Sequence, residues 1–277
     1  MRYVNVNGQI VKETSAKVPY NNRAFRFGYG VFETMLFRGG VIQLKEYHWK
    51  RLFGAVEQLE LIMPEIMDAN WLEAEIKKTV KKNKLEKLCR VRLQIYAGQG
   101  GLYDGHNAWT EFVIVVTPEK EQITELNETG VRLSIAEGLQ KSNDSLANLK
   151  SCSALIYSIA ARQADKKGFD DALICNISGN IIESTIANIF WIKGDTIYTP
   201  PLSEGCIAGV MRQYLLEQLP MAGINIKEEP LTRAQLKAAD GIFLTNAIRK
   251  IKWVSTIDDM TFKKDKVKAL HDKIFTQ

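Results

Sequence analysis

The sequence predicts an α+β fold in two domains, and three observations carry that reading. Segments with period-2 alternation and segments with helical spacing follow one another without a regular βαβ rhythm, which argues against a doubly wound sheet. A chain of 277 residues is long enough for one large domain or two ordinary ones, each with its own core. The stretch Pro118–Glu128 is polar and unpatterned. It reads as the connection between an N-terminal α+β domain over 1–117 and a C-terminal α+β domain over 129–277.

The elements follow in order. Tyr3–Val6 and Gln9–Val11 flank Asn7-Gly8, a pair suited to a type I′ hairpin turn. Val31–Phe37 and Val41–Gln43 flank Gly39-Gly40 and read as a second hairpin. Glu46–Leu61 places Trp49, Leu52, Phe53, Val56 and Leu59 at helical spacing, and Trp71–Lys82 is another helix. Cys89–Tyr96 and Glu111–Val116 are strand-like, separated by the loop Gly98-Gln-Gly-Gly101. In the second half the pattern predicts strand Val131–Ala136, helix Cys152–Lys167 and strands at Asp171–Asn176, Ile181–Glu183, Ala187–Ile192 and Thr196–Tyr198. Helix Val210–Leu219, strand Ile224–Glu228, helix Arg233–Ala238, strand Gly241–Thr245 and a C-terminal helix complete the chain.

Composition narrows the function. Apolar residues make up 45% and charged residues 25%, an ordinary globular balance. The net charge of +5 is mild. Its lysines cluster in Ile76–Lys87 and Phe262–Lys273, interleaved with acids and apolar positions, as on solvated helix faces rather than a nucleic-acid surface. Cys89, Cys152, Cys175 and Cys206 are far apart, and the only histidines are His48, His106 and His271, so no zinc spacing exists and no metal is expected. Free thiols, no signal-peptide run and no stretch of 18 apolar residues predict a cytoplasmic chain that does not span a membrane.

Five features could carry chemistry. Lys150, in Ala147-Asn-Leu-Lys-Ser-Cys-Ser, is expected at the mouth of a helix beside Leu149; partial desolvation there would make its amine a nucleophile. Taken alone it reads as an ordinary surface lysine, and position does not single it out. Glu183 lies among apolar residues in Ile181-Ile-Glu-Ser-Thr-Ile-Ala-Asn-Ile-Phe-Trp, where a carboxylate needs a compensating cation, unless the strand faces solvent or the acid is a cap. Gly205-Cys-Ile-Ala-Gly-Val-Met-Arg212 is a glycine loop opening a helix, which favours a phosphate but is also how plain helices start. It is neither a P-loop nor a dinucleotide fingerprint. Arg51 follows His48 by one turn on the same helix face and could hold two phosphate oxygens, or simply be solvated. Thr245 and Asn246 end a strand and could donate to an anion or form a plain turn.

The order of these features is more specific than any one of them. Phe27-Gly-Tyr-Gly-Val-Phe-Glu-Thr34 comes first, then Arg51, Lys150, Glu183-x-x-x-x-Asn188-Ile-Phe, Gly209-Val-Met-Arg212 and Thr245-Asn-Ala247. This resembles the class IV (fold type IV) aminotransferase family of pyridoxal 5'-phosphate (PLP) enzymes, which holds branched-chain aminotransferases, D-amino-acid aminotransferases and 4-amino-4-deoxychorismate lyases. The resemblance spans about Val4 to Val254. It implies a two-domain fold like that of D-amino-acid aminotransferase and a transaminase moving an amino group between an amino acid and a 2-oxo acid. Lys150 matches the lysine that holds the cofactor as an aldimine, Glu183 the acid at the ring nitrogen, and Arg51 the phosphate-binding arginine. Val210 and Met211 match backbone donors to the phosphate, Thr245 a further phosphate contact with Asn246 beside it, and Asn188 a local anchor. Tyr29, Arg92 and Ala247 fall where the family holds its substrate. A homodimer is implied as well.

The sequence also departs from the family. Leu102 stands where lyases often carry an arginine, Gly28-Tyr-Gly30 replaces a frequent Gly-Asp-Gly, and Tyr157 is the nearest candidate for the tyrosine that follows the lysine. The lyase reaction, releasing pyruvate from aminodeoxychorismate, is therefore the alternative to transamination. A non-catalytic PLP-binding protein and a nucleic-acid-binding module are the remaining classes.

Overall fold

The computed structural model describes residues 2–103 and 109–275. His106 lies outside them. The chain divides into two compact units, Met1–Ile123 with Lys150–Ala154, and Thr124–Leu149 with Leu155–Gln277.

The first unit is built on β1 (Tyr3–Val6), β2 (Gln9–Lys12), α1 (Arg23–Phe27), β3 (Gly30–Arg38), β4 (Val41–Ile42), α2 (Lys45–Gln58), α3 (Ala69–Asn83), β5 (Leu88–Ala97) and β6 (Thr110–Pro118). Its six-stranded sheet runs β2-β1-β6-β5-β3-β4. The first turn has Asn7 and Gly8 at positive φ, as a type I′ hairpin requires. Strands β3 and β5 pair antiparallel over nine residues, Gly30↔Tyr96 to Arg38↔Leu88. Alternation sends Val31, Met35 and Phe37 into the core with Val91, Leu93 and Ile95. Helices α2 and α3 cover the sheet with Trp49, Leu52 and Val56, and with Leu72, Ile76 and Val80. Burying each of these side chains contributes about 2 kcal/mol. Asp68 caps α3, accepting from the Trp71 N–H at 2.7 Å, and Lys84 closes it in the left-handed conformation.

The second unit holds β7 (Val131–Lys141), α4 (Leu155–Lys166), β8 (Asp171–Asn176), β9 (Ile181–Ser184), β10 (Asn188–Lys193), β11 (Thr196–Thr199), α5 (Val210–Met221), β12 (Asn225–Glu228), α6 (Arg233–Lys237), β13 (Gly241–Asn246), β14 (Lys250–Ile257), β15 (Met260–Thr261) and α7 (Asp265–Phe275). Its sheet runs β12-β11-β10-β13-β14-β7-β8-β9, and β9 also pairs back to β10 at Glu183↔Asn188. Six strands, β10, β13, β14, β7, β8 and β9, thus close on themselves. The ring encloses Leu133, Leu173, Ile181, Ile189, Leu244 and Val254 among other buried residues.

The sequence reading is corrected in two places. Strands β14 and β15 lie between β13 and the C-terminal helix, which is confined to Asp265–Phe275. The expected helix Cys152–Lys167 begins only at Leu155. Residues 150–154 belong to the first unit instead, where Ser151 bridges Val31 and the segment hydrogen-bonds along the edge of β3.

Candidate active site

In the first unit, Lys150 is held by its backbone. The Phe32 N–H donates to the Lys150 carbonyl at 3.0 Å, and the Cys152 N–H to the Gly30 carbonyl at 2.8 Å. The start of β3, which the short strand β4 leaves uncovered, is the template, and Lys150 is not at a helix mouth. Gly30 is required by close approach, since a Cβ there would lie 2.6 Å from the Tyr96 Cβ. The Lys150 ammonium sits 4.5 Å from the Phe32 ring centroid, and the Arg92 guanidinium 3.6 Å from the same ring. Both contacts are cation–π attractions. Phe32 pairs with Gln94 and Thr34 with Arg92, so these four residues share one sheet face. The Arg92 guanidinium donates to Gln94 Oε1 at 3.0 Å. Cys152 lies beside it, and burial raises its thiol to about 11 against the pull of Arg92. That face therefore offers two cations.

Arg51 lies elsewhere in this unit. Its Nε and Nη2 donate to the two oxygens of Glu33 at 2.7 and 2.6 Å, and His48 Nδ1 is 2.6 Å from Glu33 Oε2. Arg51 and His48 do share a helix face, and both grip Glu33. Burial raises the Glu33 carboxyl, but the Arg51 charge and the His48 and Arg51 hydrogen bonds outweigh it and hold it at about 2. Glu33 follows Phe32 directly, so it points to the opposite side of β3 from the Lys150 face. The Tyr29 hydroxyl is engaged too, donating to the Leu59 carbonyl at 2.6 Å. Leu102 is exposed.

In the second unit three candidate residues stand in register. Glu183 on β9 faces Asn188 on β10, which faces Thr245 on β13. Cross-strand partners share a face with Cβ atoms about 5 Å apart. All three are buried. Asn188 Nδ2 donates to the Ile207 carbonyl at 2.9 Å, and the Ile207 N–H donates to Glu183 Oε2 at 2.9 Å. The peptide of Ile207 is thus gripped from both sides, which sets where the loop enters α5. Gly209 is the N-cap of α5, with no side-chain cap. A Cβ at Gly209 would fall 1.8 Å from Asn188 Oδ1. Only glycine lets the helix start this close, and its first N–H groups, from Val210 and Met211 on, have no partner within the helix.

The remaining second-unit candidates divide. The Thr245 hydroxyl is buried without a hydrogen-bond partner, an arrangement that costs about 1–3 kcal/mol unless something else accepts or donates there. Asn246 is spent on its own turn. Its Oδ1 accepts from the Ile248 and Arg249 N–H groups at 3.1 and 2.8 Å, and its Nδ2 donates to the Ile186 carbonyl at 3.2 Å. Ala247 is in that turn.

Sequence reasoning missed two partners of Glu183. Lys141 Nζ and the Tyr157 hydroxyl both donate to its Oε1, at 2.7 and 2.8 Å. Burial drives the Tyr157 phenol well above its ordinary value, and Glu183 adds to the rise, so it stays a donor. These contacts are separated by 42 and 26 residues, and no local pattern announces them. Among the described residues no cluster of metal ligands exists, and no helix is long and apolar enough to cross a membrane.

Known proteins give these residues a family. A probable branched-chain-amino-acid aminotransferase of Rickettsia typhi is 30% identical, over 93% of this chain and 88% of its own. The aminodeoxychorismate lyase of Vibrio harveyi is 26% identical over 87% of each. The solved branched-chain aminotransferase of the thermophilic archaeon Thermoproteus uzoniensis, with norvaline, superposes with a TM-score of 0.85, at 24% identity over 99% of this chain and 94% of that one. The α+β fold is thus that of class IV aminotransferases. The family model for amino-transferase class IV matches residues 30–257, from the first residue of β3 to the last of β14, and the chain belongs to that family of PLP-dependent aminotransferases and lyases as an enzyme.

Proposed function

We propose that the chain is a PLP-dependent transaminase that moves an amino group between an amino acid and a 2-oxo acid, with Lys150 as the catalytic amine. The observation that carries this reading is the register Glu183–Asn188–Thr245 beside the uncapped start of α5. It places a buried acid, a buried hydroxyl without a partner and a helix N-terminus on one wall. That donor set fits a phosphorylated, ring-nitrogen cofactor. When bound, PLP supplies the sink for the electron pair left when a bond to the substrate α-carbon breaks.

This chain's own residues do the rest. Glu183 offers its negative charge to the ring nitrogen, and an opposite charge favours the protonated nitrogen. Thr245 and the N–H groups of Val210 and Met211 receive the phosphate; Arg51, which the resemblance makes the phosphate arginine, is engaged here by Glu33 on the opposite side of β3 from Lys150. Lys150 would take the α-proton as a neutral amine and return it. Arg92, on the Lys150 face, attracts a substrate carboxylate, with Tyr29 and Ala247 as further substrate-side positions. In this reading the enzyme works as a homodimer in the cytoplasm.

A lyase reading is favoured by one observation, the similarity to the Vibrio harveyi enzyme over 87% of both chains. Leu102, where a carboxylate clamp would need a cation, counts against it.

The test is the near-visible absorbance of the purified, PLP-loaded protein with L-glutamate, L-leucine, D-alanine and D-glutamate in turn. A band that shifts with one of them, and that is missing together with turnover in Lys150→Ala, is the expected result. Multiple turnover by Lys150→Ala would refute the assignment. A band indifferent to all four, with pyruvate released from aminodeoxychorismate, would establish the lyase reading.

A further inference from the structure

Glu183 carries more donors than a cofactor-facing acid needs. Lys141 Nζ and the Tyr157 hydroxyl take Oε1, and the Ile207 N–H takes Oε2. The Glu183 and Lys141 side chains are 3% and 11% exposed, so both charges of this pair are out of water. Such a pair is not a surface accident. Taking two ions from water costs several kcal/mol each, recovered only with good geometry and further hydrogen bonds.

Lys141 reaches Glu183 because of a bulge. Strand β7 pairs with β8 as Ile135↔Leu173, then resumes as Gln140↔Cys175 and Lys141↔Asn176. Four residues are thereby skipped on β7 against one on β8. Gly138 sits within them at φ +67°. Bulges re-aim side chains by breaking the strict alternation of a strand. Here the strand resumes with the Lys141 ammonium 5.4 Å from the Tyr157 ring and in contact with the Glu183 carboxylate.

A carboxylate oxygen accepts about two hydrogen bonds. Oε1 has two, and Oε2 has one. Room for a further N–H remains on Oε2, the oxygen held by the loop that leads into α5. We propose that Lys141 is the standing counter-ion of Glu183: it keeps the acid paired and aimed in the cofactor-free enzyme, and it shares the acid with the ring nitrogen once PLP binds. Lys141 is then a positioning residue, with Tyr157 fixing the oxygen it uses. The inference rests on the reading of Glu183 as the ring-nitrogen acid.

A cofactor cation and Lys141 would each neutralise the same carboxylate from a different oxygen, so either can stand in for the other's charge, and this makes the idea measurable. In Lys141→Met the cofactor-free protein buries an unpaired carboxylate, whereas the loaded protein regains a cation from PLP. The experiment is thermal unfolding of wild type, Lys141→Met, Lys141→Arg, Glu183→Gln and the double variant Lys141→Met/Glu183→Gln, each without and with PLP, alongside PLP titration by absorbance. Cofactor-free Lys141→Met should melt on the order of 10 °C below wild type. PLP should raise its melting temperature by more than it raises that of wild type. Lys141→Arg and the double variant should both melt close to wild type without PLP.

A wild-type melting temperature for cofactor-free Lys141→Met, or an equal PLP increment in both proteins, overturns the proposal. If Lys141→Met does not fold, a folded double variant supports the proposal and an unfolded one overturns it. Failure of the underlying reading looks different. Glu183→Gln would then take up PLP with unchanged affinity and spectrum, and the Lys141 pair would stand only as a structural bridge.

Discussion

Glu33 and Glu183 are both buried carboxylates, and their partners make them different. Glu33 is saturated by Arg51 and His48 on its own unit, which holds its pKa at about 2. A carboxyl depressed in the folded state stabilises the protein above its unfolded pKa, and the contribution is lost as pH falls through the folded value. For Glu33 that window runs from about pH 4.5 down to about pH 2, and the contribution is about 3 kcal/mol. Glu33→Gln should therefore be less stable than wild type by roughly that amount at neutral pH. The gap should close as the pH drops across the window, as measured by urea denaturation at each pH. A gap that stays constant down to pH 2 would show that the ion pair contributes little. Arg51 as a helix arginine beside His48 was legible in the sequence. Its engagement by Glu33 was not, because the partner sits 18 residues away on a strand.

At the scale of elements, the start of α5 matters most. The glycine loop before it was readable as a helix opening, and the helix does begin at Val210. The sequence does not say why Gly209 must be glycine. The reason is the Asn188 side chain on β10, which occupies the space a methyl group would need. Gly209→Ala should push Asn188 off the Ile207 carbonyl, cost about 1–3 kcal/mol by overpacking, and weaken PLP binding at least tenfold. Thermal melting and cofactor titration check both halves. Unchanged PLP affinity in a destabilised Gly209→Ala would mean that the helix start is not a phosphate site. Strand β14 was not read at all. Lys250 and Lys252 alternate with Ile251 and Trp253 there, a half-buried strand pattern too short to stand out beside the lysine-rich C-terminal helix.

For the whole molecule, the chain path is the instructive feature. It leaves the second unit after Leu149, lends Lys150–Ala154 to the edge of β3, and returns at Leu155 to begin α4. A fragment of residues 1–123 lacks that edge partner. The Phe32 amide, which donates to the Lys150 carbonyl in the full chain, should exchange with deuterium much faster in the fragment, because an unpaired edge amide loses its protection. Equal exchange rates would show that the 150–154 segment does not hold the edge. The sequence by itself determined the fold class, most strands and helices, and the order of Arg51, Lys150, Glu183 and Thr245 along the chain, which carries the resemblance to one class of enzyme. Those properties are written in local periodicity and in residue order, which a reader can follow along the chain. Tertiary structure alone decided what each site residue touches: Lys150 and Arg92 over one ring, Glu33 on Arg51, Lys141 and Tyr157 on Glu183. Such contacts depend on strand register, on a bulge in β7 and on which edge a segment joins, and a shift of one residue in any of them would turn the same side chain to the opposite face.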